Sequence, residues 1–444
     1  MKNTNVRWRV MFLIMFPMQL MMSLDRINIS VSAPFIQKDF GLSLTEISLI
    51  LSAFAWTYAL CQVPAGIWVQ RIGSHKAIAI AGILWSICTF ITPFGSSLIL
   101  LIVFRCFLGV AQAADIPGGI NAINTWFPRK EKARANSIFL SSGYLGLAIG
   151  TTLTAWIVSH LGWRWSFYSY GIIGVAVALY WYKSFRNHPK SHPDVNQEEL
   201  ELITEEKDSS KVTNEGFKTS RQEWKKLLKK PQFWVIGFQY FCLVLVESFF
   251  ITLLPLFLLQ ARNLSIEKTG IVAGLPWLSL TISVVIMGTL VDTVYRKTKS
   301  RITSRVPFGI AGFIISSGCL WFASQATSTF SMSILLMISM AGIGMIQVPN
   351  WSAVQDIGGK HSASLSGWVN FCGNAATAIG TIIVVQTVNI FGNWNVGIML
   401  LTVMGGLGAV SWLFIKPNKP LLDENEVSKE SIFENIETIQ TIKA

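Results

Sequence analysis

Two ionisable residues stand side by side inside an apolar run: Asp25 and Arg26 in "MMSLDRINISVSAP", residues 21–34. An ionisable group within a spanning helix is costly, so it usually faces a cavity, a partner or a transport path. The other such groups in apolar runs are the acids Asp115 and Glu247 and the base Arg105. The chemistry open to this set is proton transfer through a carboxyl, or a structural ion pair between spans, for example Asp25 with Arg105. His75, His160, His188, His192 and His361 fall in loops or at span ends. A proton carrier within the membrane would therefore be a carboxylate and not an imidazole.

Spacing says how these groups can face. Neighbours on a helix point about 100° apart, so Asp25 and Arg26 divide between a central cavity and an adjoining helix. Gln112 lies seven residues after Arg105 and returns to nearly the same helix face, with Asp115 one turn further. Asp115 precedes Ile116-Pro117-Gly118-Gly119, which should bend the helix; freed backbone at membrane depth is tolerated where it lines a cavity. The alternative is that Asp115 caps the bend. Glu247, in "LVLVESFFITLLP", is costly to ionise there. It suits a proton site, a contact to a cationic or hydroxylated substrate, or a bond to a neighbouring helix. Asn370 and Asn374 are one turn apart and share a face; they can bond hydroxyls or join helices. Gln239, Tyr240 and Asn350 are weaker candidates, and the glycine-rich "AGIGMIQ" and "MGGLGAV" read as close helix packing.

The elements that must position these residues follow from composition. Of 444 residues, 51% are hydrophobic and 14% charged, and mean hydropathy is +0.48. That leaves too few charges for a soluble surface. Apolar runs of about 20 residues recur, the length a spanning helix needs. Spans are expected near 10–31, 47–69, 77–97, 98–125, 136–158, 165–183, 233–259, 269–291, 307–325, 330–350, 364–390 and 395–415. The basic N-terminus lacks a small-residue cleavage site and opens too long an apolar stretch for a signal peptide. The net charge of +12 sits in short loops, which argues for a positive-inside membrane protein and against nucleic acid. Basic loops (Arg71 and Lys76; Arg129, Lys130, Lys132 and Arg134; Arg296, Lys297, Lys299, Arg301 and Arg305) alternate with nearly uncharged turns. Both termini are therefore expected in the cytoplasm. The six cysteines match neither a disulfide framework nor metal spacing. No cofactor or metal is implied.

Residues 184–231 are polar, with an acidic stretch followed by the amphipathic, basic "RQEWKKLLKK", a candidate for the membrane surface. The expected division is a six-helix bundle over 1–183, a cytoplasmic linker over 184–231, a second bundle over 232–416 and a cytoplasmic tail over 417–444. The halves echo each other: "GIWVQRIGSHK" after the second span and "GTLVDTVYRK" after the eighth. Repeated halves build many secondary transporters, with a site near the midplane between them.

The loop "GxxxQRxG" resembles the signature of the major facilitator superfamily. "LDRINIS", "RCFLGVAQAADIP", "WFPRKEKARA", "LGWRWSFY", "PNWSAVQDI" and "GWVNFCGN" resemble more narrowly its anion:cation symporter family, over nearly the whole chain. The resemblance implies an all-α integral membrane fold of twelve helices in two pseudo-symmetric six-helix bundles. It implies symport of a small organic anion (sugar acid, aromatic acid, phosphate or amino-acid-like) driven by protons or sodium.

By that resemblance Arg26 binds the anion's carboxylate and Asp25 takes part in protonation. Arg105, Gln112, Asn370 and Asn374 join the substrate site, and Tyr58 matches a substrate-contacting tyrosine. Gly66, Arg71, Gly73, Gly288 and Asp292 latch the cytoplasmic helix ends and gate the cavity. Three positions depart from the family pattern. Glu247-Ser248 stand where an aromatic is usual, Gln70 replaces an aspartate, and Gln112 replaces a proton-coupling glutamate. An amide releases no proton. Either coupling runs through Asp25 alone, or Asp115 or Glu247 takes it over, or the chain is an uncoupled exchanger, exporter or aromatic-acid permease. A membrane enzyme is disfavoured by the absence of a catalytic or metal constellation, and a receptor by the short linker and tail. A monomer in a bacterial inner membrane is expected.

Overall fold

The computed structural model describes residues 5–208 and 221–421. Every regular element among them is helical. Ten helices are long and apolar enough to cross a bilayer. One of them, Leu44–Phe94, is two spans joined at Gly73, where φ is 82° and ψ 153°. A Cβ on Gly66 would lie 3.7 Å from Pro117, and one on Gly118 would lie 2.6 Å from Ile78. A straight helix would hold positions 66 and 78 about 18 Å apart, so the chain doubles back. Trp163–Ser184 is a further helix of 22 residues. Splitting one of the ten and adding this one brings the described spans to twelve.

In chain order these are α1 (Val6–Phe40), α2 (44–72), α3 (74–91), α4 (Leu98–Trp126), α5 (Arg129–Leu161), α6 (Trp163–Ser184), α7 (Pro231–Gln260), α8 (Ile266–Thr298), α9 (Arg301–Gln325), α10 (Thr329–Gly358), α11 (Ser362–Phe391) and α12 (Trp394–Ser411). Several overrun the spans expected from hydropathy; α1 covers 6–40 against an expected 10–31. At several helix starts a side-chain cap satisfies the free end groups. Ser43 and Glu46 form a capping box at the start of α2, and Ser97, Ser265, Ser300 and Ser328 cap α4, α8, α9 and α10.

In the first half α1 packs on α5 and α6, α2 on α4, and α3 on α6. In the second, α9 packs on α10 and α12, α8 on α10, and α7 on α11 and α12. The halves meet along two seams, α2 with α11 and α5 with α8. Advancing each number by six turns α2 into α8 and α5 into α11, which exchanges the seams. That is the signature of a two-fold pseudo-symmetry between halves. At the end where α1 stops and α2 starts, hydrogen bonds close the halves on each other. Gln260 donates to Gln37 (2.8 Å), Asn389 and Gln386 to Thr45 (2.9 and 3.2 Å), and Thr152 to the Gly270 carbonyl (3.2 Å).

The acidic stretch after α6 has a structural task. Glu199, fully buried in the linker helix Gln197–Asp208, accepts from the Val6 and Arg7 backbone N–H groups at 2.9 and 3.0 Å. Those are free donors at the start of α1, so Glu199 caps that helix from outside it. Arg7 also pairs with Glu199 at 3.0 Å and with Glu131 of α5 at 2.8 Å. Removing one partner of a buried pair strands the other. Glu199→Ala is expected to lower stability by about 3 kcal/mol, read as a fall in the thermal unfolding midpoint in detergent. An unchanged midpoint would refute this role.

The basic helix Arg221–Lys229 packs part of its apolar face on the protein, while Leu228 stays exposed. Leu227 is buried, and Trp224 packs edge-on against Phe233 at the start of α7, with ring centroids 6.3 Å apart. Of the expected linker, positions 209–220 lie outside the described residues, as do 422–444 of the tail.

Candidate functional site

Arg26 and Asp25 divide as helical geometry requires. Arg26 is half-buried and points toward α2, with its Cζ 5.1 Å from the Phe54 ring centroid and 4.8 Å from that of Tyr58. The two rings stack at 5.6 Å. Arg105 of α4 lies over the same Phe54 ring, its Cζ 4.9 Å from the centroid. Both guanidiniums thus draw on aromatic faces, a favourable arrangement for a cation out of water. α4 can bring Arg105 this close because residue 109 is glycine: a Cβ there would sit 2.2 Å from Thr57 Oγ1 and 2.6 Å from the Phe54 carbonyl.

Asp25 is 2% exposed and, one residue before Arg26, faces about 100° away from it around α1. Thr89 and Arg105 are the polar groups that bear on its carboxylate, and neither oxygen is in full hydrogen-bond geometry with them. The Asp25–Arg105 ion pair raised by the sequence is not formed. Among the described residues, no carboxylate comes within ion-pair distance of Arg26.

The bend in α4 falls at Ala113–Ala114, just before the position the sequence suggested. Pro117 has no N–H to give the Ala113 carbonyl, so the helical ladder fails there. Asp115 opens the second segment, Asp115–Trp126, and is 1% exposed. It does not cap the bend: the N-cap is Ala114, no side chain bonds the free amides, and Asp115 Oδ2 is unpartnered. Arg26 is the cation whose field reaches it. Gln112, at the last turn before the bend, is fully buried with both amide atoms unpartnered. Gln239 and Asn350 are in the same condition. Buried amides rarely stand unbonded.

The second half faces Arg26 with Glu247. Its carboxylate is half-buried and accepts from Gln347 Nε2 at 3.2 Å. Tyr144 and Tyr240 lie within its field, and Tyr240 meets Trp351 edge-on at 5.4 Å. Arg26 is again the cation within reach. Asn370 and Asn374 share a face as expected, Asn374 donating to the Asn370 carbonyl at 2.9 Å. Asn370 itself donates to Gln62 Oε1 across the α2–α11 seam at 2.7 Å, and Gln62 reaches the Tyr58 hydroxyl at 3.4 Å. These half-buried groups lie between the halves at the depth of Tyr58 and Asn370, with the interhalf hydrogen bonds of the α1–α2 end to one side.

Sequence reasoning missed Phe54, Gln62, Tyr144, Gln347 and Trp351. Gln62 and Gln347 did carry a signal, as lone amides in apolar runs, but that pattern also marks helix–helix bonds. The aromatics carried none, since an aromatic in an apolar run is ordinary.

The candidate gating residues lie at the loop ends of the helices. Gly66 adjoins Pro117, and Arg71 and Asp292 are exposed. A Cβ on Gly288 would meet nothing within 4 Å. After Gly73, Ser74 donates to the Gly118 carbonyl (2.9 Å) and the His75 N–H to Asn187 Oδ1 (2.8 Å). These bonds tie α3 to α4 and to the stretch after α6, all in one half. In the other half Asp356, at the end of α10, pairs with Arg305 and, at 3.5 Å, with Arg301; the sequence reading did not select it. Gly73 has a glycine-only backbone, and a Cβ there would sit 2.3 Å from Asn187 Nδ2. Gly73→Val is expected to cost about 1–3 kcal/mol, seen as a lower unfolding midpoint. A midpoint equal to wild type would contradict the strain argument. No group of three metal-binding side chains occurs among the described residues.

A sequence model described as the Major Facilitator Superfamily matches residues 15–381. The chain is 30% identical over 407 residues to a probable galactarate/D-glucarate transporter, GudP, of Bacillus subtilis, covering 89% of this chain and 88% of that protein. It is 28% identical to a D-galactonate transporter of Escherichia coli, with 88% and 91% covered. It is also 28% identical to a probable sulfoacetate transporter, SauU, of Cupriavidus necator, with 89% and 90% covered. Among solved structures it resembles an inward-facing bacterial homologue of the human lysosomal transporter Spinster, with a TM-score of 0.72 at 18% identity, over 93% of this chain and 95% of that one.

Proposed function

Because this chain belongs to the Major Facilitator Superfamily, we propose that it is a secondary transporter carrying a small organic anion, a carboxylated sugar derivative first and an aromatic acid second, by proton symport. The observation that carries this reading is Arg26: a guanidinium midway along a spanning helix, half-buried over two aromatic rings, with no carboxylate among the described residues within ion-pair distance. Such a group suits an arriving anion. The names of the relatives above point the same way.

In this reading Asp25 takes the driving proton. Anion binding near Arg26 and Arg105 changes the field at Asp25, and by linkage protonation of Asp25 changes anion affinity. Tyr58, Asn370 and Asn374 line the cargo's path, and Asp115 and Glu247 are the reserve carboxyls. Units 1–183 and 232–416 rock about the seams, with 184–231 as a cytoplasmic linker. The basic loops and both termini face the cytoplasm, so the sealed end faces outward. The loop residues Gly66, Arg71, Gly73, Gly288 and Asp292 govern the inner gate. The chain acts as a monomer in the cell membrane, a bacterial inner membrane.

A second reading is anion exchange without protons, favoured by Gln112, a buried amide with no proton to give. One experiment separates the two. Proteoliposomes are offered D-galactonate, galactarate, sulfoacetate and an aromatic acid, with and without an inward proton gradient. Gradient-driven accumulation of any of them supports symport. Uptake that needs a trapped counter-anion and ignores the gradient supports exchange. Uptake of none would sink the anion reading.

A further inference from the structure

We infer that Glu247 and Gln347 make the cavity selective for a monocarboxylate whose far end carries hydroxyls, and set it against a dicarboxylate. The inference rests on the anion reading above and narrows it.

The charges of the cavity are lopsided. Arg26 is the cation whose field reaches both Asp115 and Glu247, while Arg105 lies behind the Phe54 ring, nearer Asp25. A carboxylate held at Arg26 leaves the rest of the cargo to extend toward the second half. The wall there is built by α7, α10 and α11, and none of these helices contains a lysine or arginine. Their one acid at the depth of the cavity is Glu247. A second carboxylate on the cargo would find no counter-charge and, wherever Glu247 is ionised, would meet a like charge, in surroundings where water screens poorly. A hydroxyl there does the opposite. It donates to a carboxylate in a charge-assisted bond, and Gln347 Oε1 stays open as a second acceptor because the 3.2 Å bond to Glu247 uses the amide nitrogen. Specificity then comes from a repulsive element as much as from an attractive one.

The relatives do not decide this, since their names cover both a dicarboxylate pair and a monocarboxylate. The test is calorimetric binding of D-galactonate and galactarate to the full chain in detergent, for wild type and Glu247→Gln. Wild type is expected to bind galactonate at least about 30-fold more tightly than galactarate. In Glu247→Gln the ratio should close to within about threefold, through tighter galactarate and weaker galactonate binding. An unfolding midpoint close to wild type reports that the variant folds, and if it does not fold, the wild-type ratio alone decides. Equal or tighter galactarate binding by wild type, or an unchanged ratio in the variant, overturns the inference. Binding of neither sugar acid, with sulfoacetate or aromatic-acid uptake intact, overturns it and leaves the anion reading standing. Failure of every anion takes both down.

Discussion

Asp25→Asn is expected to abolish gradient-driven accumulation while leaving anion counterflow in place. The change is nearly isosteric. It keeps a polar group in a site that is 2% exposed and removes only the capacity to gain and lose a proton. Asparagine also resembles the protonated carboxyl, so the anion-loaded form should still assemble and cross. One proton coupled to one anion gives about tenfold accumulation per pH unit of gradient, since each unit is worth about 1.4 kcal/mol. Across two units wild type should therefore concentrate its substrate about 100-fold, and the variant should stop at equal concentrations. Proteoliposome uptake with labelled substrate reads both numbers, and counterflow in the same vesicles proves the variant competent. Accumulation that survives the substitution would move the proton to Asp115 or Glu247, or remove it from the mechanism.

Arg26→Ala should weaken anion binding by about 100-fold or more, in line with the 2–5 kcal/mol lost when one partner of a buried charged pair is truncated. Arg26→Lys should recover only part of this. A lysine keeps the charge but loses the planar fork that grips a carboxylate through two bonds and stacks on Phe54 and Tyr58. Binding measured by calorimetry across the three proteins would order them wild type, lysine, alanine. If alanine binds as wild type does, Arg26 is a packing cation, and Arg105 becomes the remaining candidate for the anion.

The architecture was legible because apolar length is a strong signal. Asp25, Arg26 and Arg105 were equally visible, since a charge in an apolar run has few ordinary explanations. What each would touch was not visible. That Arg26 would lie over Phe54 and Tyr58, and that Asp25 would not meet Arg105, depends on how α1, α2 and α4 rotate against each other. Gly109 sets that close approach, and nothing local distinguishes it from other glycines in apolar runs. Asp115 shows the limit from another side. The bend was readable from Pro117, but whether the carboxylate turned back to cap it was a tertiary outcome. Asn370 is similar: its face was predictable, yet its amide bonds Gln62 from the other half, a pairing between residues more than three hundred positions apart.

The hydrogen bonds that hold the halves together, Gln37 with Gln260, Thr45 with Gln386 and Asn389, Thr152 with the Gly270 carbonyl and Gln62 with Asn370, all join uncharged groups. Dissolved ions screen charges and leave amide and hydroxyl bonds nearly untouched. These ties also carry no titratable proton. In the proposed rocking cycle these ties would hold the halves together with little regard to salinity or acidity, leaving the medium to act through Asp25, Arg26 and the other buried charges.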